Sequence, residues 1–245
     1  MLEARVLASS SAGNATVLED GDRRILLDAG LPYRELQVAL EHRASSLDAV
    51  LVTHEHADHA RAVRELLERA RVPVYATAGT WAALGPHPSR RARTIRPLEA
   101  EQLGAWAVLA FPVTHDAAEP VGYLVASPTG KALYLTDASS TRYRFRDVTI
   151  ALIEANHDRA ELERAVLEGR TEASLARRIR ANHLSLNAAI DVLASTNLDT
   201  VREIHLLHLS NGHADALAFR DRVERATGVA TFVAGHQGSL AEARA

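Results

Sequence analysis

The stretch Val50-Leu51-Val52-Thr53-His54-Glu55-His56-Ala57-Asp58-His59 decides how the rest of the chain is read. Its first four residues read as a buried strand, and from Ala60 onward the spacing reads as a helix. In extended chain, residues two apart point the same way, so His54 and His56 can reach one ion together. Asp58 and His59 then turn the corner and can face a second position nearby. Imidazole plus carboxylate is the ligand set expected of a zinc site that hydrolyses its substrate. The plainer alternative makes Asp58 a helix cap and the histidines surface polar groups. It does not account for three His and one Asp within six positions.

The remaining composition narrows the metal chemistry. The chain has 245 residues and no cysteine, so disulfides and thiolate ligands are excluded and any metal rests on His and carboxylates. A chain of this length buries enough surface to need no staples and suits a single domain, 1–245. Formal net charge is −3, which does not advertise nucleic-acid binding but leaves room for a local basic face. Lys131 is the only lysine among 28 basic residues. Codon usage accounts for that bias, although arginine forks also suit phosphate. No apolar run approaches the length of a membrane span, and Met1–Ala8 lacks the charged and apolar regions of a signal peptide. A cytoplasmic protein without a membrane partner is expected.

Short apolar runs recur as candidate strands at 5–8, 15–18, 25–27, 49–52, 72–75, 107–111, 121–126, 132–135, 148–153, 204–207 and 229–233. Helical spacing appears at 32–43, 58–70, 159–167, 185–194 and 214–226. Hairpin signals stand at Glu19-Asp20-Gly21-Asp22 and Ser127-Pro128-Thr129-Gly130. The stretch 84–93 reads as loop. Strands first, then strand–helix alternation, then the same again, fit a two-sheet α/β sandwich better than one doubly wound sheet.

The His-x-His-x-Asp-His run after an apolar strand resembles the signature of the metallo-β-lactamase fold. The upstream strand ending in Asp28-Ala29-Gly30 resembles that fold's first Asp element, whose role is to orient the metal loop. Three further elements have candidates in Phe111-Pro112-Val113-Thr114-His115, Leu133-Tyr134-Leu135-Thr136-Asp137 and Ile204-His205-Leu206-Leu207-His208-Leu209-Ser210. The resemblance implies an α/β (α+β) four-layer αββα sandwich holding two Zn²⁺ ions, with Mn²⁺ or another divalent ion as the alternative. His54, His56 and His115 would bind one ion, Asp58, His59 and His208 the other, and Asp137 would bridge them. His205 is the alternative to His208. Some relatives carry Glu where His56 stands and hold di-iron for redox work, so His56 favours zinc and hydrolysis.

The fold hosts lactamases, thioesterases, lactonases and nucleases, so it does not decide the substrate. The Ser-rich loop Ala8–Thr16, the run His115-Asp116-Ala117-Ala118-Glu119-Pro120-Val121-Gly122-Tyr123 and the run Glu154-Ala155-Asn156-His157-Asp158 together resemble the bacterial YycJ/WalJ-type group, which is associated with DNA exonuclease activity. The resemblance spans about residues 5–220. His183-Leu184-Ser185 paired with His208-Leu209-Ser210 also resembles ribonuclease Z. There the first His is no ligand but sits against the phosphate, which makes His183 the candidate general acid. Asp58, besides being a candidate metal ligand, is the second candidate catalytic residue. Ser10, Ser11 and Asn14, with His157, are candidate substrate contacts; Asp158 has no derivable role. The chain departs from the group at Ala155, Asn182, Leu186 and 211–215, none of them a candidate metal ligand. A bridging hydroxide attacking a DNA phosphodiester in the 5′–3′ direction is the implied reaction. The alternatives are a small-molecule ester, thioester or lactone hydrolase and an RNA-preferring nuclease. Arg142, Arg144 and Arg146 alternate after Asp137 and can share one face, either as a phosphate track or as a solvated charge run.

Overall fold

In a computed structural model, residues 1–87 and 89–234 are described. The chain divides into two compact units, residues 1–112 with 117–131, and residues 113–116 with the chain from Ala132 onward.

The first unit opens with strands β1 (Glu3–Ser10), β2 (Gly13–Asp20) and β3 (Arg23–Leu27), an antiparallel meander. The β1–β2 register closes at Ser10 opposite Gly13, so Ser11 and Ala12 form a two-residue turn. The chain then changes habit. Helix α1 (Tyr33–Ala39), strand β4 (Ala49–Leu51), helices α2 (Ala57–Ala60) and α3 (Val63–Glu65), strand β5 (Val74–Ala76), helix α4 (Ala78–Leu84) and strand β6 (Ala92–Thr94) follow. β3 to β6 pair in parallel, giving a six-stranded sheet in simple sequence order. Val17, Leu26, Val50 and Val52 of this sheet are buried in one core with Leu36, Leu40, Val63, Leu66 and Leu67 of the helical segments. Strands β7 (Ala100–Leu103), β8 (Trp106–Pro112) and β9 (Val121–Ser127) form an antiparallel ribbon. Two buried hydrogen bonds tie the ribbon to β4 and its flanks. Tyr123 Oη donates to the Val52 carbonyl at 2.7 Å and Trp106 Nε1 to Asp48 at 2.8 Å.

The second unit is a parallel sheet of β10 (Gly130–Leu135), β11 (Ile150–Glu154), β12 (Glu203–Leu207) and β13 (Thr231–Val233), in that order. Its inner strands are almost wholly apolar, as a sheet covered on both faces requires. Helices α5 (Arg159–Leu167), α6 (Ala173–Asn182) and α7 (Leu186–Ala194) connect β11 to β12, and α8 (Ala216–Thr227) connects β12 to β13. No helix among the described residues is long and apolar enough to cross a membrane.

Most elements lie where the sequence pattern puts them. The exceptions have physical causes. The expected helix 58–70 is broken into α2, α3 and a π-helical turn at Leu66–Ala70 that ends on Arg71 in the left-handed region, φ 59°. Its first turn answers to the metal loop, because Ala29 N donates to the His59 carbonyl and Ala62 N to the Ala29 carbonyl. Helix α6 escapes the pattern because its sequence, Ala-Ser-Leu-Ala-Arg-Arg-Ile-Arg-Ala-Asn, carries too narrow an apolar stripe. The expected loop 84–93 is shorter at both ends, Leu84 closing α4 and Ala92 opening β6, with no helix or strand at the described residues between them; Pro88 lies outside the described residues.

Candidate metal centre

In the first unit, His54, His56, Asp58 and His59 follow directly on β4. The imidazoles of His54 and His59 lie 4.2 Å apart between ring centroids, and His54 Nε2 is 3.0 Å from His56 Nδ1. Asp58 Oδ2 is 3.4 Å from His59 Nε2. All four expected ligands of the run therefore converge.

Asp28 holds this loop. It is wholly buried and sits in the left-handed region with φ 58°. Its carboxylate accepts from Thr53 N at 2.8 Å, from Thr53 Oγ1 at 2.9 Å, and from His59 Nδ1 at 2.8 Å. A carboxylate only accepts, so the proton of His59 stays on Nδ1 and the lone pair is left on Nε2, the arrangement that metal-ligating histidines share. Gly30 lets the two segments meet: a Cβ there would lie 1.6 Å from the Asp58 carbonyl oxygen. Asn14 is buried rather than presented to solvent. Its Nδ2 lies 3.1 Å from the Ser10 carbonyl, 3.3 Å from that of Asp58 and 3.0 Å from His59 Nε2. Ser11 is exposed at the turn tip, and Ser10 Oγ accepts from Ala12 N at 3.1 Å.

The second unit assembles its cluster from strand ends. Asp137 follows β10, Glu154 closes β11 and His208 follows β12, three neighbours in one parallel sheet. Side chains at the carboxyl ends of parallel strands are where such sheets present their sites. His183 joins them from the C-terminus of α6. One ligand atom from each of Asp137, Glu154, His183 and His208 lies within 4.8 Å of the others. Asp137 and His208 both sit in the left-handed region, φ 46° and 53°, a conformation that costs non-glycine residues energy and is held only by its surroundings. Asn156 supplies part of that hold, donating Nδ2 to the His208 carbonyl at 2.8 Å.

Glu154 is the residue that sequence reasoning missed. It is fully buried and takes four hydrogen bonds, from His183 Nδ1 at 2.7 Å, His208 Nδ1 at 3.0 Å, and Ala138 N and Leu184 N at 3.1 Å. Burial pushes its pKa up, but the two histidines outweigh burial and leave it below the usual carboxylate value. The available signal was the one that picked out Asp137, an acid closing an apolar strand. Burial also works against charge on His183 and His208. Hydrogen bonds and charge from Asp137 and Glu154 outweigh it, carrying His183 to about 10 and His208 to about 9. Two buried carboxylates thus create a negative field that favours positive charge on the facing imidazoles.

His115 belongs to this unit. Its Nδ1 lies 3.2 Å from the Asn182 carbonyl and its Nε2 3.8 Å from Asp137 Oδ2. Burial lowers its pKa, favouring the neutral form a metal needs. His205 lies elsewhere. It stacks on Phe232 at 5.4 Å and stands 3.8 Å from Glu203, while His208 is the one that meets Asp137, at 2.7 Å. His157 is buried, with neither ring nitrogen hydrogen-bonded, and burial drives its pKa down to about 4. Asp158 caps α5, accepting from Ala160 N and Glu161 N, and pairs with Arg222 at 2.7 Å.

Imidazoles and carboxylates with no thiolate, His59 already oriented by Asp28, fit a borderline divalent cation. Comparison with known proteins agrees. The β-lactamase superfamily domain model matches residues 23–206. The chain belongs to the metallo-β-lactamase superfamily and is a metal-binding hydrolase. It is 31% identical to exodeoxyribonuclease YycJ of Bacillus anthracis over 84% of this chain and 81% of that one. It is equally 31% identical to exodeoxyribonuclease WalJ of Streptococcus pneumoniae serotype 2 strain D39, over 84% and 80%. It therefore falls within the YycJ/WalJ group. Among solved structures, the metallo-β-lactamase fold protein YhfI of Bacillus subtilis superimposes with a TM-score of 0.72 at 14% identity, covering 96% of this chain and 97% of that one. The fold is the expected metallo-β-lactamase α/β sandwich.

Proposed function

We propose that this protein is a cytoplasmic metal-dependent phosphodiesterase, a DNA exonuclease of 5′–3′ polarity, using two zinc ions held by His54, His56, Asp58, His59, His115, Asp137 and His208. In this reading residues 1–245 act as one catalytic domain. Divalent metal bound by these residues supplies Lewis acidity and a water acidic enough to serve as nucleophile near neutral pH.

The observation that carries the phosphodiester reading is the His183–Glu154 pair beside Asp137 and His208. Glu154 fixes the proton of His183 on Nδ1 at 2.7 Å and favours the imidazolium. A charged imidazole can donate Nε2–H to a phosphoryl or leaving oxygen, which is the task of a general acid in this reaction. His183 keeps 20% of its side chain exposed, enough to be reached, whereas Glu154 is sealed and acts by positioning. Asp28 orients His59, and Asn14 braces Asp58 and His59. Of the proposed substrate contacts, Ser11 is open to solvent, while Asn14 and His157 would act from buried positions.

The test is a zinc- or manganese-supplemented assay on end-labelled duplex DNA, single-stranded DNA and RNA. Degradation of the 5′-labelled duplex, absent in Asp58→Ala, is expected. Preference for RNA would move the substrate, and silence on all three polymers with turnover of a thioester or lactone would overturn the nuclease reading.

A further inference from the structure

We infer that Thr141-Arg142-Tyr143-Arg144-Phe145-Arg146 is a docking track for the phosphate backbone of a DNA strand, separate from the groups that act on the scissile phosphate. The inference deepens the nuclease reading above and rests on it.

The segment is an arginine–aromatic alternation outside any regular element. Its exposure alternates with it. Arg142, Arg144 and Arg146 are exposed, Tyr143 is half-buried and Phe145 is 97% buried, at 3% relative exposure. Phe145 therefore anchors the segment while the guanidinium groups face water. Both ends are fixed. Upstream, Ala138 N donates to Glu154 at 3.1 Å and Ser139 N to the Thr114 carbonyl at 2.9 Å. Downstream, Thr200 Oγ1 donates to the Val148 carbonyl at 2.9 Å.

Cationic charge is concentrated in this patch. Arg164, Arg170, Arg220 and Arg222 of the same unit are neutralised by carboxylates, Arg164 by Glu161 at 2.9 Å, Arg170 by Glu161 at 2.8 Å, Arg220 by Asp221 at 2.8 Å and Arg222 by Asp158 at 2.7 Å. The exposed Arg159, Arg177 and Arg225 lie on helices rather than in such an alternation. Among the described residues, Arg142 and Arg144 form no ion pair. Arg142 instead lies over the ring of Tyr143, 5.3 Å from its centroid, with Nη2 3.2 Å from the phenol oxygen. A chain of net charge −3 thus keeps two guanidinium groups without a carboxylate partner, Arg142 and Arg144, a few residues beyond Asp137. Its partner is a polyanion. The alternation puts three arginines on the exposed side of one short segment, where they can meet several phosphates of a strand that carries one charge per nucleotide. The partly exposed Tyr143 adds a flat face of the kind on which unpaired bases stack.

The test uses the metal-loaded full chain carrying Arg142→Gln, Arg144→Gln and Arg146→Gln, with Arg64→Gln, which loses only an exposed pair to Glu68, as charge control. Binding of a labelled oligonucleotide is measured against salt, and turnover is measured on DNA and on bis(p-nitrophenyl) phosphate. The triple variant is expected to lower the slope of log Kd against log salt by about 2–3, near 0.9 per lost contact. KM for DNA should rise by about tenfold or more, with kcat and turnover of the small diester unchanged; Arg144→Gln alone should remove about one third of the slope change. Unchanged slope and KM in a variant that melts like the parent would overturn the track while leaving the nuclease reading standing. A parent chain that hydrolyses the small diester but neither binds nor cleaves DNA would overturn both. Loss of binding to an acidic protein instead would reassign the patch.

Discussion

The two ligand clusters are built in opposite ways. In the first unit, four candidate ligands come from six consecutive residues on one loop, and the fold has only to brace that loop with Asp28, Gly30 and Asn14. In the second, Asp137, Glu154 and His208 meet because three parallel strands end side by side, and His183 joins from the end of α6 and His115 at 3.8 Å from Asp137, five separate places in the sequence. The first cluster is local and held by hydrogen bonds to Asp28 and by the close backbone approach at Gly30. The second is non-local and held by charge, with two buried carboxylates facing two histidines. The lesson is that a contiguous motif tolerates little change in its bracing, whereas a dispersed one tolerates little change in its electrostatics.

The sharpest way to break the comparison is to remove one ligand from each side. Asp58→Ala and His208→Ala are each expected to reduce bound metal to one equivalent or less and to abolish turnover. Metal analysis beside an activity assay checks this, and full activity with a single ion would overturn the dinuclear reading. Next comes bracing. Gly30→Ala forces a Cβ into the Asp58 carbonyl at 1.6 Å, so the first loop must shift. A loss of about 3 kcal/mol in stability and of the metal held by His54, His56 and His59 is expected, read from a melting curve and metal content. The electrostatic counterpart is His183→Ala, which should keep metal yet lose about 10²–10⁴ in rate. Glu154→Gln should give a smaller rate loss and shift the alkaline limb of the pH–rate profile downward. Loss of metal from His183→Ala would show that His183 is a ligand.

The smallest expected effect separates ordinary burial from the site. His157 is pushed down to about 4 in the fold, below its usual value near 6.5. The unfolded chain therefore takes up a proton first on acidification. The contribution is complete above pH 6.5 and is lost as pH falls toward 4, by at most about 3 kcal/mol. His157→Leu, measured by denaturant melts of metal-stripped protein, should flatten that acid limb. An unchanged limb would place the acid sensitivity in other groups.

These differences also explain what was legible in the sequence. The contiguous cluster could be read from spacing alone. His115, Asp137 and His208 were placed by the family resemblance, since a lone His or Asp after an apolar strand does not by itself mark a ligand. Glu154 could not be assigned a role, since its partners His183 and His208 lie 29 and 54 residues away. Asn14 read as a donor to substrate because a Ser-rich turn precedes it, but its amide turns inward toward His59. Asp158 had a local signal, an Asp directly before the helical spacing at 159–167, that identifies its cap; only its pairing with Arg222, 64 residues along the chain, was out of reach. Among the elements, β11 and β12 were legible as apolar runs. The broken helix after His59 was not, because its breaks answer to hydrogen bonds with Ala29.

The left-handed backbone at Asp28, Asp137 and His208 has a consequence for engineering this enzyme. Glycine adopts this backbone conformation without steric strain, yet at these three positions it would erase the side chain the site needs. The strain there, of order 1–3 kcal/mol per residue, is a fixed handicap against a total stability of about 5–15 kcal/mol. The same backbone conformation occurs at Glu41, His42 and Leu98, φ 54°, 59° and 66°, away from either cluster. Leu98 is also 54% exposed, so Leu98→Gly gives up little packing. A thermostabilised version of this hydrolase would start at the rim positions and leave the three strand ends bent.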